Sequence, residues 1–131
     1  MDIKLQKPSF SKISELRPGI HCYHIYAKVL SAKVSENVTN NGRVINVVEG
    51  VLADDSASAH FRFTGNHTAH MAEGNSIAVR NGKSNVVDDH IILELDQFGR
   101  VTLENELPFG EVNHEKNISA TSWEKAPRKN N

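Results

Sequence analysis

Seven side chains in this sequence have the types and spacing to hold a polyanion. Tyr26, Lys28, His60, Arg62, Arg80 and Lys83 sit in or beside apolar-rich, alternating stretches, and Arg43 sits at the edge of a polar loop. Alternation turns every second side chain of a strand to the same face. These residues are therefore expected outward while their neighbours are buried. Lys28, Arg43, Arg62, Arg80 and Lys83 suit a row of phosphates, with an affinity that falls as salt rises. Tyr26 and a neutral His60 ring offer faces on which bases stack. The plainer reading is that alternation alone puts such residues on the wet side of a sheet. Convergence separates the two. If Arg62 and Arg80 pointed to opposite sides of the molecule, or were held by neighbouring carboxylates, the polynucleotide reading drawn from these residues would lose its physical basis and only the barrel would survive.

Other chemistry is poorly supported. His67 and His70 are three apart on a possible helical turn, and His21 and His24 are close, but no cysteine or carboxylate pattern completes a metal site. Asp54-Asp55 and Asp88-Asp89 are paired carboxylates at expected turns, where Asp belongs for backbone reasons. No nucleophile elbow and no phosphate-cradling glycine loop occurs. The expectation is a protein that is not an enzyme and takes no metal or other cofactor. Cys22, the single cysteine, excludes an internal disulfide and a four-cysteine zinc site, and is expected to be small and at least half-buried.

The formal net charge is −1, so any anion site must be a local patch. No apolar run approaches the ~20 residues that span a bilayer, and the first ten residues lack the apolar core of a signal peptide. Sequons at Asn37, Asn66 and Asn117 then read as chance matches. The expected setting is intracellular, nuclear or cytoplasmic, with no membrane partner.

The elements that must position these residues form one domain over 12–110, with an N-terminal extension at 1–11 and a mobile polar tail at 111–131. Ile13 to Leu16 reads as one helical turn, stopped by Arg17-Pro18-Gly19. Tyr23 to Lys33 alternates as a first strand, with Ile25, Ala27 and Val29 inward, and 35–42 reads as an exposed loop. The organising feature is a hairpin from Val44 to Thr64 around Asp54-Asp55-Ser56. Gly50 interrupts its first arm, as a bulge or bend requires. Phe61 and Phe63 face inward from the second arm. A short helix over 67–72 follows. A fourth strand spans 76–81, Gly82 to Asn85 turns, and a fifth strand spans 90–95. Phe98-Gly99-Arg100 makes a corner in which Phe98 plugs the barrel end, and 101–103 extends the sheet. Trp123 in the tail either anchors a partner or packs back. Three strands, a short helix and two strands is the order of an all-β, five-stranded OB-fold barrel, whose strands 2–3 and adjoining loops often bind oligonucleotides.

With the strands placed, the chain resembles the small plant OB-fold proteins described as single-stranded DNA-binding-protein-like. It is more distantly similar to the B subunit of the SOSS single-strand sensing complex. The matching pieces are Ile13 to Gly19, Lys28 to Lys33, Leu52-Ala53-Asp54, Met71 to Gly74, Val79 to Lys83 and Asp96 to Arg100. The resemblance implies binding of single-stranded DNA or RNA. It also implies stacking rings at four places, which here hold Thr64, Val87, Glu94 and Lys83. Stacking supplies about 1–3 kcal/mol per base, so charge is expected to carry the affinity. The alternative is a protein-interaction subunit of a larger nucleic-acid-maintenance complex with little affinity of its own for nucleic acid.

Overall fold

Two short turns set the long hairpins. Asn41 and Gly42 have φ of 52° and 79°, and Asp88 and Asp89 have φ of 51° and 68°. Positive φ at both centres is what a two-residue hairpin loop needs, and these residue types tolerate it. The first turn joins β1 (His21–Asn40) to β2 (Arg43–Ala53), and the second joins β4 (Ser76–Val87) to β5 (His90–Leu103). β3 (Ser58–Thr64) returns antiparallel along β2 after the turn at 54–57. The computed structural model describes residues 10–120, with the backbone alone at 35–40, 43, 96 and 97.

The strands close into a barrel in the order β1-β2-β3-β5-β4. Every ladder is antiparallel except β3 with β5. This is the expected all-β, five-stranded OB fold. The inward set follows the alternation: Ile25, Ala27, Val29, Phe61, Phe63, Ile77, Val79, Ile91 and Leu93 are all buried. Phe61 and Phe63 meet at 5.0 Å between ring centroids, tilted by 55°, a favourable aromatic geometry. Ile13 and Leu16, on and just after the N-terminal 3-10 turn Ile13–Glu15, join the same core.

Several expectations are corrected. The helix between the third and fourth strands is a single 3-10 turn, Gly65–Thr68. Helix does not continue over 67–72 because the end of this connection bonds to β1 instead. Gly74 donates to the Val29 carbonyl, and Val29 donates to the Asn75 carbonyl. The stretch 35–42 is not an open loop, since pairing runs to Asn40↔Arg43 and leaves only Asn41 and Gly42 to turn. Gly82 to Asn85 is not a turn but the middle of β4. Gly82 lies against the Tyr23 ring, where an added Cβ would collide with the ring carbons. Gly50 is likewise a point of close approach, since its Cβ would strike the Ser31 carbonyl. The bulge it was expected to make lies opposite, in β1 between Val29 and Ser31.

Phe98 does not plug the barrel. β5 runs through it and leaves it 67% exposed. Cys22 is exposed rather than half-buried, and sits at a register shift with φ of 60°. Residues 111–120, expected as part of a polar tail, pack on the barrel. Asn113 donates to the Asp54 carbonyl, Ser58 donates to the Lys116 carbonyl, and Ile118 and Ser119 are buried. Trp123 and the rest of the expected tail lie outside the described residues, as does 1–9 of the N-terminal extension.

Candidate nucleic-acid interface

The seven candidates do not share one wall. β3 and β4 are never neighbours, because β5 separates them on one side and β1 and β2 on the other. Arg62 and Arg80 therefore stand on different parts of the surface. Arg43 begins β2, and its side chain is outside the described set.

Arg62 and Lys83 belong to a row of alternating sign. Glu49 on β2 faces Arg62 on β3, and the Arg62 Nε lies 3.2 Å from the Glu49 Oε1. Two residues along β5 from the His60↔Ile92 pair comes Glu94, and Glu94 faces Lys83 on β4. Glu94 also accepts from the Asn85 side chain at 3.2 Å. Each cation in this row thus has a carboxylate on a neighbouring strand, which lowers the pull on an incoming phosphate. This row starts on the expected β2–β3 face and continues over β5 and β4, and it alternates in sign where a wall of positive charge was expected. His60 borders it, with its backbone N–H held by Ser119 Oγ at 2.8 Å and its ring Nε2 3.5 Å from Asn117 Nδ2. A groove of about 420 Å³ runs beside it, lined by Lys33, Glu49, Val51, His60 and Ile92 among others.

Tyr26 and Arg80 do come together, on the β1–β4 side. Phe10 lies over Tyr26 with 4.1 Å between centroids and 16° between planes. The Arg80 guanidinium carbon is 5.4 Å from the Phe10 centroid, within cation–π range. Arg80 also donates to the Thr102 hydroxyl at 3.0 Å. The face of the Tyr26 ring under Phe10 opens to a base only when Phe10 is displaced. Lys28 lies farther along β1, opposite Ala53 and Ser76, and faces Glu111 and His114 of the C-terminal segment.

The places where the resemblance implies rings are laid out along β3, β4 and β5. Thr64 ends β3, Val87 ends β4 beside the Asp88-Asp89 turn, and Glu94 lies on β5. The paired aspartates have other work. The Asp54 carboxylate is buried and accepts from Ile13 N, Ser56 N, Ser56 Oγ and Ala57 N. Asp55 pairs with Lys12 at 2.6 Å.

Sequence reasoning missed two members of the β1–β4–β5 surface. Phe10 reads as part of a polar extension, although an aromatic three residues before the core-entering turn Ile13–Glu15 is a signal of docking. Arg100 reads as a corner residue, yet it lies in a continuous strand directly opposite Arg80.

Comparison with known proteins agrees with this architecture. An uncharacterised protein of Arabidopsis thaliana is 23% identical over 129 residues, covering 91% of this chain and 84% of that protein. The solution structure of a hypothetical protein from Arabidopsis thaliana superposes with a TM-score of 0.77 at 20% identity, over 97% of this chain and 94% of that one. The replication factor A related protein from Methanobacterium thermoautotrophicum gives a TM-score of 0.61 at 17% identity, over 74% and 92% of the two chains. A chain of a replication protein A heterotrimer bound to single-stranded DNA gives 0.61 at 13%, over 74% of this chain and 25% of that one. At these identities the superpositions speak for the fold. The family model for the OB fold of single-stranded DNA binding protein Ssb-like proteins matches residues 16–103, from the buried Leu16 to the end of β5, and the chain belongs to that family.

Proposed function

We propose that this chain is a non-enzymatic module that binds single-stranded nucleic acid, DNA or RNA, inside the cell. One observation carries the reading: the match to the single-strand-binding OB family runs over the whole barrel. Two features lend support. The same barrel occurs in a replication protein A heterotrimer bound to single-stranded DNA, and arginines stand on the outer face of β4 and β5. Rings are scarce on the surface, so charge supplies most of the attraction and the affinity is modest and salt-sensitive. A fluorescence-anisotropy titration with labelled poly-dT and mixed-sequence RNA at low salt tests it. Saturable binding is the expected result. A flat titration to tens of micromolar protein, on the order of the weakest non-specific binders, would remove the reading.

A second reading has its own observation. The neutral Glu49–Arg62–Glu94–Lys83 belt lies where a charged wall was expected. Interleaved charges of both signs suit a protein partner, whose rim charges fix register. The module would then serve as a subunit of a nucleic-acid-maintenance complex. A stable partner captured from lysate and retained after nuclease treatment, together with a flat anisotropy titration, selects it.

A further inference from the structure

Two arginines face each other on the outside of the β4–β5 ladder. Arg80 and Arg100 are direct cross-strand partners. Like charges in that position repel and weaken the sheet. Among the described residues neither makes an ion pair, and Arg100 is exposed with no hydrogen-bond partner. Arg62 is paired with Glu49, Lys12 with Asp55, and Lys83 stands opposite Glu94, whereas among the described residues a carboxylate comes no nearer to Arg80 in its hydrogen bonds than Glu104, which accepts from the Thr102 hydroxyl at 3.4 Å. An anion between Arg80 and Arg100 would turn a repulsive pair into a site. Guanidinium groups grip phosphate with paired N–H donors and stay charged at every relevant pH.

A hollow of about 570 Å³ adjoins this pair on the side of β5 away from β4. Thr64, Asn66, His67, Leu95, Arg100 and Thr102 line it. Its volume lies in the range that takes small organic ligands. Its donors and acceptors suit the edge of a base, and the Leu95 side chain gives an apolar surface. The arginine pair and the hollow share Arg100 and Thr102, so they form one continuous surface.

We propose that a single nucleic-acid strand crosses the barrel over β4 and β5, with one backbone phosphate held between Arg80 and Arg100 and the adjoining base in the hollow lined by Thr64, Asn66 and His67. This rests on the reading of the chain as a single-strand binder. It places the contact farther along β4 and β5 than the Glu94–Lys83 end of the neutral belt, at a cross-strand pair of arginines without ion pairs among the described residues.

The test is anisotropy of labelled poly-dT with the full chain and two variants, over a series of salt concentrations. Arg100→Gln removes one charge from a side chain without partners, so the fold is preserved. Lys116→Gln removes one charge from the C-terminal segment and controls for net charge. Arg100→Gln is expected to raise Kd by roughly tenfold and to flatten the salt slope by up to about 0.7, the value for full loss of one phosphate contact on a single strand. Lys116→Gln is expected to change Kd less than about twofold, as a distant screened charge should. If the wild type binds and Arg100→Gln binds equally well, this site is overturned and the single-strand reading stands. If the wild type does not bind, both fall.

Discussion

Tyr23 buries a phenol whose hydroxyl has no hydrogen-bond partner among the described residues. Its ring is held in place by the gap at Gly82. A hydroxyl stranded in this way costs about 1–3 kcal/mol. Tyr23→Phe keeps the ring and removes the cost, so it is expected to raise stability by about 1 kcal/mol in urea unfolding near neutral pH. Burial, with a smaller contribution from the Glu94 charge, pushes the hydroxyl well above the ordinary tyrosine range. The unfolded chain sheds this proton near pH 10, whereas the folded chain keeps it. The contribution to stability is therefore whole below about pH 10 and is lost as pH climbs from there toward the folded value. Alkaline unfolding of Tyr23→Phe should begin at higher pH than that of the wild type. Coincident alkaline curves would contradict the buried phenol.

At the scale of elements, the C-terminal segment behaves as part of the barrel. Ser119 stands between two strands, accepting from His60 N at 2.8 Å and donating to the Ile91 carbonyl at 2.6 Å. It bonds β3 to β5 beside their parallel pairing at His60↔Ile92. Ser119→Ala leaves one donor and one acceptor without partners and is expected to destabilise by about 1–3 kcal/mol. The denaturant midpoint reads the loss. Single-strand binding over β4 and β5 should persist in the folded variant, because Ser119 does not line the hollow beside Arg100. The Asp54 carboxylate works at the same scale. It joins the N-terminal turn to the β2–β3 turn through Ile13, Ser56 and Ala57, while its carbonyl receives Asn113. The Asp54 carboxylate thus ties two segments and its backbone carbonyl a third.

For the whole molecule, the net charge of −1 supplies no long-range attraction for a polyanion. Binding depends on local contacts. If the one phosphate between Arg80 and Arg100 is the only phosphate neutralised, the plot of log affinity against log salt should have a slope of about −0.7, the value for one contact on a single strand. A slope several-fold steeper would mean that the charges of the other faces take part as well.

The barrel was legible because its signals are local. Alternation at Ile25, Ala27 and Val29, at Phe61 and Phe63, and at Ile91 and Leu93 requires one buried face, and burial of that face needs no knowledge of partners. The succession of strands along the chain, the β2–β3 turn at Asp54 and the N-terminal 3-10 turn follow from residue chemistry of the same short range. The surface did not yield to that reasoning. Which outward residues become neighbours depends on register, and register is set by bulges and closure. A ladder counted without interruption from the Asp88-Asp89 turn would set Arg80 against Gln97. The irregularity between Arg80 and Gly82 sets it against Arg100. Likewise only closure in the order β1-β2-β3-β5-β4 keeps Arg62 and Arg80 apart and sets Glu94 opposite Lys83. The chain's own pattern decided what is inside; tertiary pairing decided which charges outside stand together.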